Sequence, residues 1–152
     1  MTFPVPPPVE EQRCYWIFLP VAGRSWRLTL GSFRQALLRR NPEEFTRIWD
    51  HPGNGPARGV TMSFGITLDG RPVEGITSVR SEGASIKSAT AGQATEFAGW
   101  LRREIVPPGE RIQIGTREGT EAAVADVIVD DVRPEPLLAL LLDHVRQVNG
   151  PG

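Results

Sequence analysis

Val60-Thr61-Met62-Ser63-Phe64-Gly65-Ile66-Thr67-Leu68 runs straight into Asp69-Gly70. Successive side chains of a strand point to opposite faces, so Val60, Met62, Phe64, Ile66 and Leu68 share one apolar face. Thr61, Ser63, Gly65 and Thr67 then share the other. Asp-Gly supplies the positive-φ pair of a tight hairpin, and residues 73–79 read as the returning strand. Ser81-Glu82-Gly83 turns the chain into a third, short strand around Ile86.

Working upstream, Cys14 to Leu19 is an apolar and aromatic run that reads as a strand. Trp26, Leu28 and Leu30 alternate with Arg27 and Thr29, which predicts a second strand after a turn at Gly23. Ser32-Phe33-Arg34-Gln35 has capping-box spacing, and Phe33, Ala36 and Leu37 fall on one helical face behind it. Asn41-Pro42-Glu43-Glu44 is a second helix-start signal that would carry helix on to Trp49. Residues 45–49 also fit a short strand; helix is the preferred reading. Residues 51–59, with Pro52, Gly53, Gly55, Pro56 and Gly59, form a loop. Residues 1–12, with Pro4 and Pro6-Pro7-Pro8, read as a flexible, extended arm.

Downstream, Thr90-Ala91-Gly92-Gln93 is another capping box. Ala94, Phe97, Ala98, Leu101 and Ile105 recur behind it at helical spacing until Pro107-Pro108-Gly109 ends the helix. Ile112 and Ile114 mark a strand, and Glu118-Gly119 a turn. Val124 to Val129 reads as a strand covered on both faces. Pro134 opens a last helix with a broad apolar face of Leu137, Leu138, Leu141, Leu142 and Val145, closed by Asn149-Gly150. The sum is a single α+β domain over residues 13–150, with a largely antiparallel sheet and the order ββ-α-βββ-α-ββ-α.

The 152 residues carry a net charge of -1, which gives no global attraction to nucleic acid or to an anionic membrane. Lys87 is the one lysine among 17 basic residues. That bias reads as the mark of a GC-rich bacterial genome, with selection of guanidinium groups for carboxylate or phosphate contacts as the alternative. Cys14 stands alone, so an intrachain disulfide and a cysteine zinc site are excluded. No apolar run approaches the roughly twenty residues that span a bilayer, and the N-terminus shows no basic segment followed by an apolar one. The expectation is a cytoplasmic protein with no nucleic-acid or membrane partner.

Chemistry-bearing motifs are sparse. Gly53-Asn54-Gly55-Pro56-Ala57-Arg58-Gly59 lacks the spacing of a phosphate loop, and a strand follows it where a helix N-terminus is needed. His51 and His144 are the imidazoles available as bases or ligands. Asp143 points about 100° away from His144 on a helix, and a histidine near a helix C-terminus is favourable through the dipole alone. With Asp126, Asp130 and Asp131 the two histidines could form an acid–base or metal site, although no spacing compels it. No Gly-x-Ser-x-Gly elbow is present. Arg39-Arg40 and Arg102-Arg103 have glutamates beside them, which suits solvated faces better than a nucleic-acid surface. Of Trp16, Trp26, Trp49 and Trp100, Trp26 lies beside arginines and Trp100 at the edge of an apolar stripe. Partly exposed tryptophan flanked by arginine is typical of interfaces, so Trp26, Trp100 and Arg103 are the candidate partner contacts.

From Phe33 onward the expected order is helix, three strands, helix, two strands, helix. That order, together with the helix Glu96-Phe97-Ala98-Gly99-Trp100-Leu101-Arg102 ending at Val106-Pro107, resembles the type III secretion chaperone fold shared with YbjN-like proteins. The resemblance spans roughly Ser32 to Val148. It implies a non-enzymatic, often dimeric module that binds an extended segment of a partner, with no cofactor. The partner would be another protein, a second copy of the chain included. Two other readings stand beside it: an immunity protein that neutralises a secreted toxin, and a small enzyme or metal protein built on His51 and His144.

Overall fold

Asp69 and Gly70 both take positive φ, 51° and 71°, as the two-residue hairpin requires. The computed structural model describes residues 7–43, 46–50 and 60–150, with the backbone alone over 46–50 and at residue 60. The strands are β1 (Cys14–Pro20), β2 (Thr46–Asp50), β3 (Val60–Leu68), β4 (Arg71–Ser78), β5 (Gly83–Ala89), β6 (Ile112–Thr116) and β7 (Val127–Val129). The helices are α1 (Leu30–Arg40), α2 (Ala91–Glu104), the single turn α3 (Arg117–Glu121) and α4 (Pro134–Val148).

Among the described residues the strands form one sheet in the order β2-β3-β4-β5-β1-β6-β7, and every adjacent pair is antiparallel. The chain is thus a single α+β fold. Its first strand is inserted between β5 and β6. Cys14, Trp16 and Phe18 of β1 are buried on the face where Met62, Phe64, Ile66 and Leu68 of β3 also lie. Helix α2 packs at the centre of that face, where Phe97 meets Phe18 edge-on at 5.0 Å and stacks on Phe64 at 6.0 Å. Helix α1 joins through Phe33, 5.0 Å from Phe64 and 5.3 Å from Trp100. Leu137, Leu141 and Val145 seat α4 beside α2. The opposite face of the sheet carries the half-buried Ile17, Ser63, Ile76 and Ser85 in one cross-strand row. No helix among the described residues is long and apolar enough to cross a membrane.

Several local expectations are corrected, each for a physical reason. Residues 26–30 are not a strand, because Arg27 takes φ 55° and its amide is held by Ser25 and by the Glu82 carboxylate. The cap of α1 is Thr29 rather than Ser32, and α1 begins at Leu30. Helix does not run on to Trp49: Asn41 is extended at φ -158°, the conformation imposed on a residue before proline, and Thr46–Asp50 pairs with β3. Among the described residues, four strands therefore separate α1 from α2 instead of three. Residues 117–121 coil into a helical turn because the Thr116 hydroxyl caps the Gly119 amide at 2.7 Å. Strand β7 keeps only three of the six expected residues and is an edge, with Ile128 49% exposed, so it is not covered on both faces. The arm is not wholly detached either, since Val9–Glu11 makes a 3-10 turn against α2 and α4. The expected loop at 51–59 and its His51 lie outside the described residues.

The Thr90–Gln93 capping box is formed, with the Gln93 side chain accepting from the Thr90 amide at 2.9 Å and Thr90 accepting from the Gln93 amide at 3.2 Å. It fixes the start of α2, and with it the register of every α2 residue discussed below.

Candidate functional site

His144 projects from α4 into the core and is 2% exposed. Its Nε2 lies 2.9 Å from the Thr116 hydroxyl, and the Ala125 backbone beside the ring favours the protonated form. The Thr116 oxygen also accepts from the Gly119 amide at 2.7 Å, so this one hydroxyl ties the ring to α3. Trp16 packs on the ring at 5.9 Å. Burial holds the His144 pKa below its ordinary 6.5, against smaller opposing contributions from Asp126, Ala125 and Asp143. The dipole argument from the sequence is outweighed, and the imidazole is neutral and fully engaged.

The aspartates expected beside it are occupied separately. Asp126 accepts from Gln113 at 2.8 Å. Asp130 lies 3.8 Å from Arg102. Asp131 is bound by Arg133, whose guanidinium holds that carboxyl below its usual range. Among the described residues no three of His, Cys, Asp and Glu cluster as metal ligands would. Cys14 is buried and its thiol is pushed up to about 11, first by burial and then by Glu118, so it is not an activated nucleophile.

The candidate contact residues divide. Trp26 and Trp100 are 2% and 3% exposed, so neither offers surface to a partner. Trp26 is covered because its indole donates to the Arg111 carbonyl at 3.2 Å. Trp100 is covered by α1 through Phe33, and its indole N–H has no acceptor among the described residues. Arg103 is exposed. It lies at the rim of a groove of about 480 Å³ between α2 and α4.

That groove follows from side-chain size. Gly92, Thr95, Gly99 and Arg103 succeed one another at three- and four-residue spacing along one stripe of α2, and Val132, Pro134, Glu135 and Leu138 form the opposing wall. Small residues on α2 leave open space between the two helices at this level. Thr95 donates its hydroxyl to Ala91 of its own helix at 2.8 Å, so it makes no polar demand on the groove. Helix α2 is tied down by Arg40–Glu96 at 2.7 Å and Arg39–Glu104 at 3.3 Å, and Glu96, itself in the groove lining, also accepts from the Asp69 amide. Arg103 has no ion pair among the described residues, and its guanidinium lies back over Gly99, 3.3 Å from where a β-carbon would stand.

Only that mobile side-chain end meets a new Cβ at Gly99. Gly99→Ala is therefore expected to stabilise the protein by about 0.5–1 kcal/mol through helix propensity, read as a higher urea midpoint. A lower midpoint would mean that α2 is closed over Gly99.

Sequence reasoning picked out Arg103 but missed the groove. The available signal was the run of small residues at 92, 95 and 99 on one face of a helix whose other faces are apolar or ion-paired. No protein-family model matches the chain, and no curated protein matches it.

Proposed function

We propose that this chain is a non-enzymatic, chaperone-like protein-binding module of the cytoplasm that holds a segment of a partner polypeptide in the groove between α2 and α4. The groove carries the reading: an open, mainly apolar trough edged by Arg103, Glu96 and Glu135 suits a segment with apolar side chains laid between two helices. Arginine at the margin of an apolar patch is the usual composition of a protein interface. Among the described residues the exposed large apolar side chains, Leu38, Val79, Ile128 and Leu140, lie on four separate segments, which is ordinary for a surface. Strand addition at β7 contributes less, because a three-residue edge offers few main-chain hydrogen bonds. The sealed imidazole of His144 weighs against the histidine-centred enzyme.

Filling the groove tests the proposal. Gly99→Leu places a large side chain in the trough while raising helix propensity. The tagged wild-type chain is expected to retain a stoichiometric partner from its native host, and Gly99→Leu, folded with an undiminished unfolding midpoint, is expected to lose it. Equal retention by both would remove the groove from the account.

A further inference from the structure

The hydrogen bonds at His144 join three separate segments. The Gly119 amide of α3 donates to Thr116 Oγ1 at 2.7 Å, and that hydroxyl, at the end of β6, is hydrogen-bonded to His144 Nε2 of α4 at 2.9 Å. The fit is tight, since a β-carbon on Gly119 would stand 2.8 Å from His144 Nε2 and 2.7 Å from Thr116 Oγ1. A second ring proton cannot be added without cost. With both ring nitrogens protonated, Nε2 can no longer accept from Thr116 Oγ1, which already accepts from Gly119.

We propose that His144 is a proton-sensitive latch: protonation of its ring releases α3 and α4 from β6 and thereby opens one wall of the α2–α4 groove. The link to partner binding rests on the groove reading above, whereas the latch itself does not. The charged groups about the ring are the carboxylates of Asp126 and Asp143, and both favour the imidazolium. They are engaged with Gln113 at 2.8 Å and Gln147 at 2.7 Å, and burial outweighs them. From β1 the ring meets the uncharged indole of Trp16, and Cys14 of that strand stays a neutral thiol. From α3 it meets the Gly119 backbone, while the Glu118 carboxylate accepts from the Tyr15 amide instead.

The sign follows from linkage. A histidine whose closed-state pKa is depressed stabilises the closed form at pH above its ordinary 6.5, and that stabilisation is lost as pH falls from there toward the closed-state value. The open-to-closed ratio should rise about tenfold for each pH unit below the ordinary value until the closed form itself protonates.

Peptide-resolved hydrogen exchange between about pH 7.5 and about pH 5.5, corrected for intrinsic rates, reads that ratio. Opening over Arg117–Glu121 and Pro134–Val148 is expected to rise about tenfold, with α2 and β5 unchanged, and His144→Gln is expected to abolish the response. Loss of protection spread evenly over α2 and the central strands, no change in α4, or the same response in His144→Gln would each overturn the latch. Should His144→Gln not fold, the imidazole titration of His144 in a His51→Ala background decides by NMR. A ring that remains neutral below pH 6.5 in the closed form, with opening over Pro134–Val148 rising as pH falls, supports the latch, and ordinary titration at 6.5 in the closed form overturns it. None of these readings uses a partner, so the latch can fail while the groove stands, and the reverse.

Discussion

Truncation of Phe97 to alanine is expected to cost about 3–5 kcal/mol of folding stability, measured as a lowered urea midpoint with unchanged slope. The ring is fully buried and lies at the junction of three elements: Phe18 on β1 at 5.0 Å, Phe64 on β3 at 6.0 Å and Trp100 on its own helix at 5.6 Å. Both walls of the resulting cavity are sheet and helix backbones held by their own hydrogen bonds, so collapse would be incomplete and the cavity contribution would add to the lost transfer energy. Domains of this size are stable by about 5–15 kcal/mol, so the variant would approach its unfolding threshold. A loss below about 1 kcal/mol would place Phe97 outside the core and dissolve the packing of α2 on the sheet.

Gly75→Ala is the second large effect, and it acts through excess rather than deficit. Gly75 is opposite Phe64 on β3 and Ile86 on β5, and the Phe64 ring lies across it. A β-carbon there would overlap Phe64 Cζ, and would stand 2.7 Å from Phe64 Cε2 and 2.6 Å from the Ser85 carbonyl oxygen. The ring can move only by leaving its contacts with Phe33 and Phe97, and the carbonyl belongs to a paired strand. Overpacking usually costs about 1–3 kcal/mol, and with backbone as one of the obstructing groups the expected loss is at or above the top of that range. The double variant Gly75→Ala with Phe64→Leu should recover only the part due to the ring. A neutral single variant would mean that the β3–β4 register is different.

The elements legible in the sequence were those whose signals are local. The alternation from Val60 to Leu68, the Asp69-Gly70 turn and the Thr90–Gln93 box each specify their own geometry within a few residues, and all three are present. Pro42 was also a local signal, but as a helix stop at Asn41 rather than a helix start. The misread parts depend on distant partners. Residues 26–30 alternate like a strand, yet Glu82 captures the Arg27 amide and Arg111 accepts from Trp26. Trp100 looked like a rim residue because its own helix leaves it at the stripe's edge, and α1 covers it. The groove exists only once Gly99 and Leu138 are brought together, and the His144 latch only once Gly119, Thr116 and Ala125 converge on one ring.

The central claim, capture of a partner segment between α2 and α4, is tested most directly by photo-crosslinking in the native host. A crosslinking residue would replace Glu135 on the groove wall, and in a second strain Lys87 on the exposed side of β5. The account predicts a discrete crosslinked species from position 135, absent from position 87 and lost when Gly99→Leu is added. Crosslinking from position 87 alone, or a band at position 135 that survives Gly99→Leu, would contradict it.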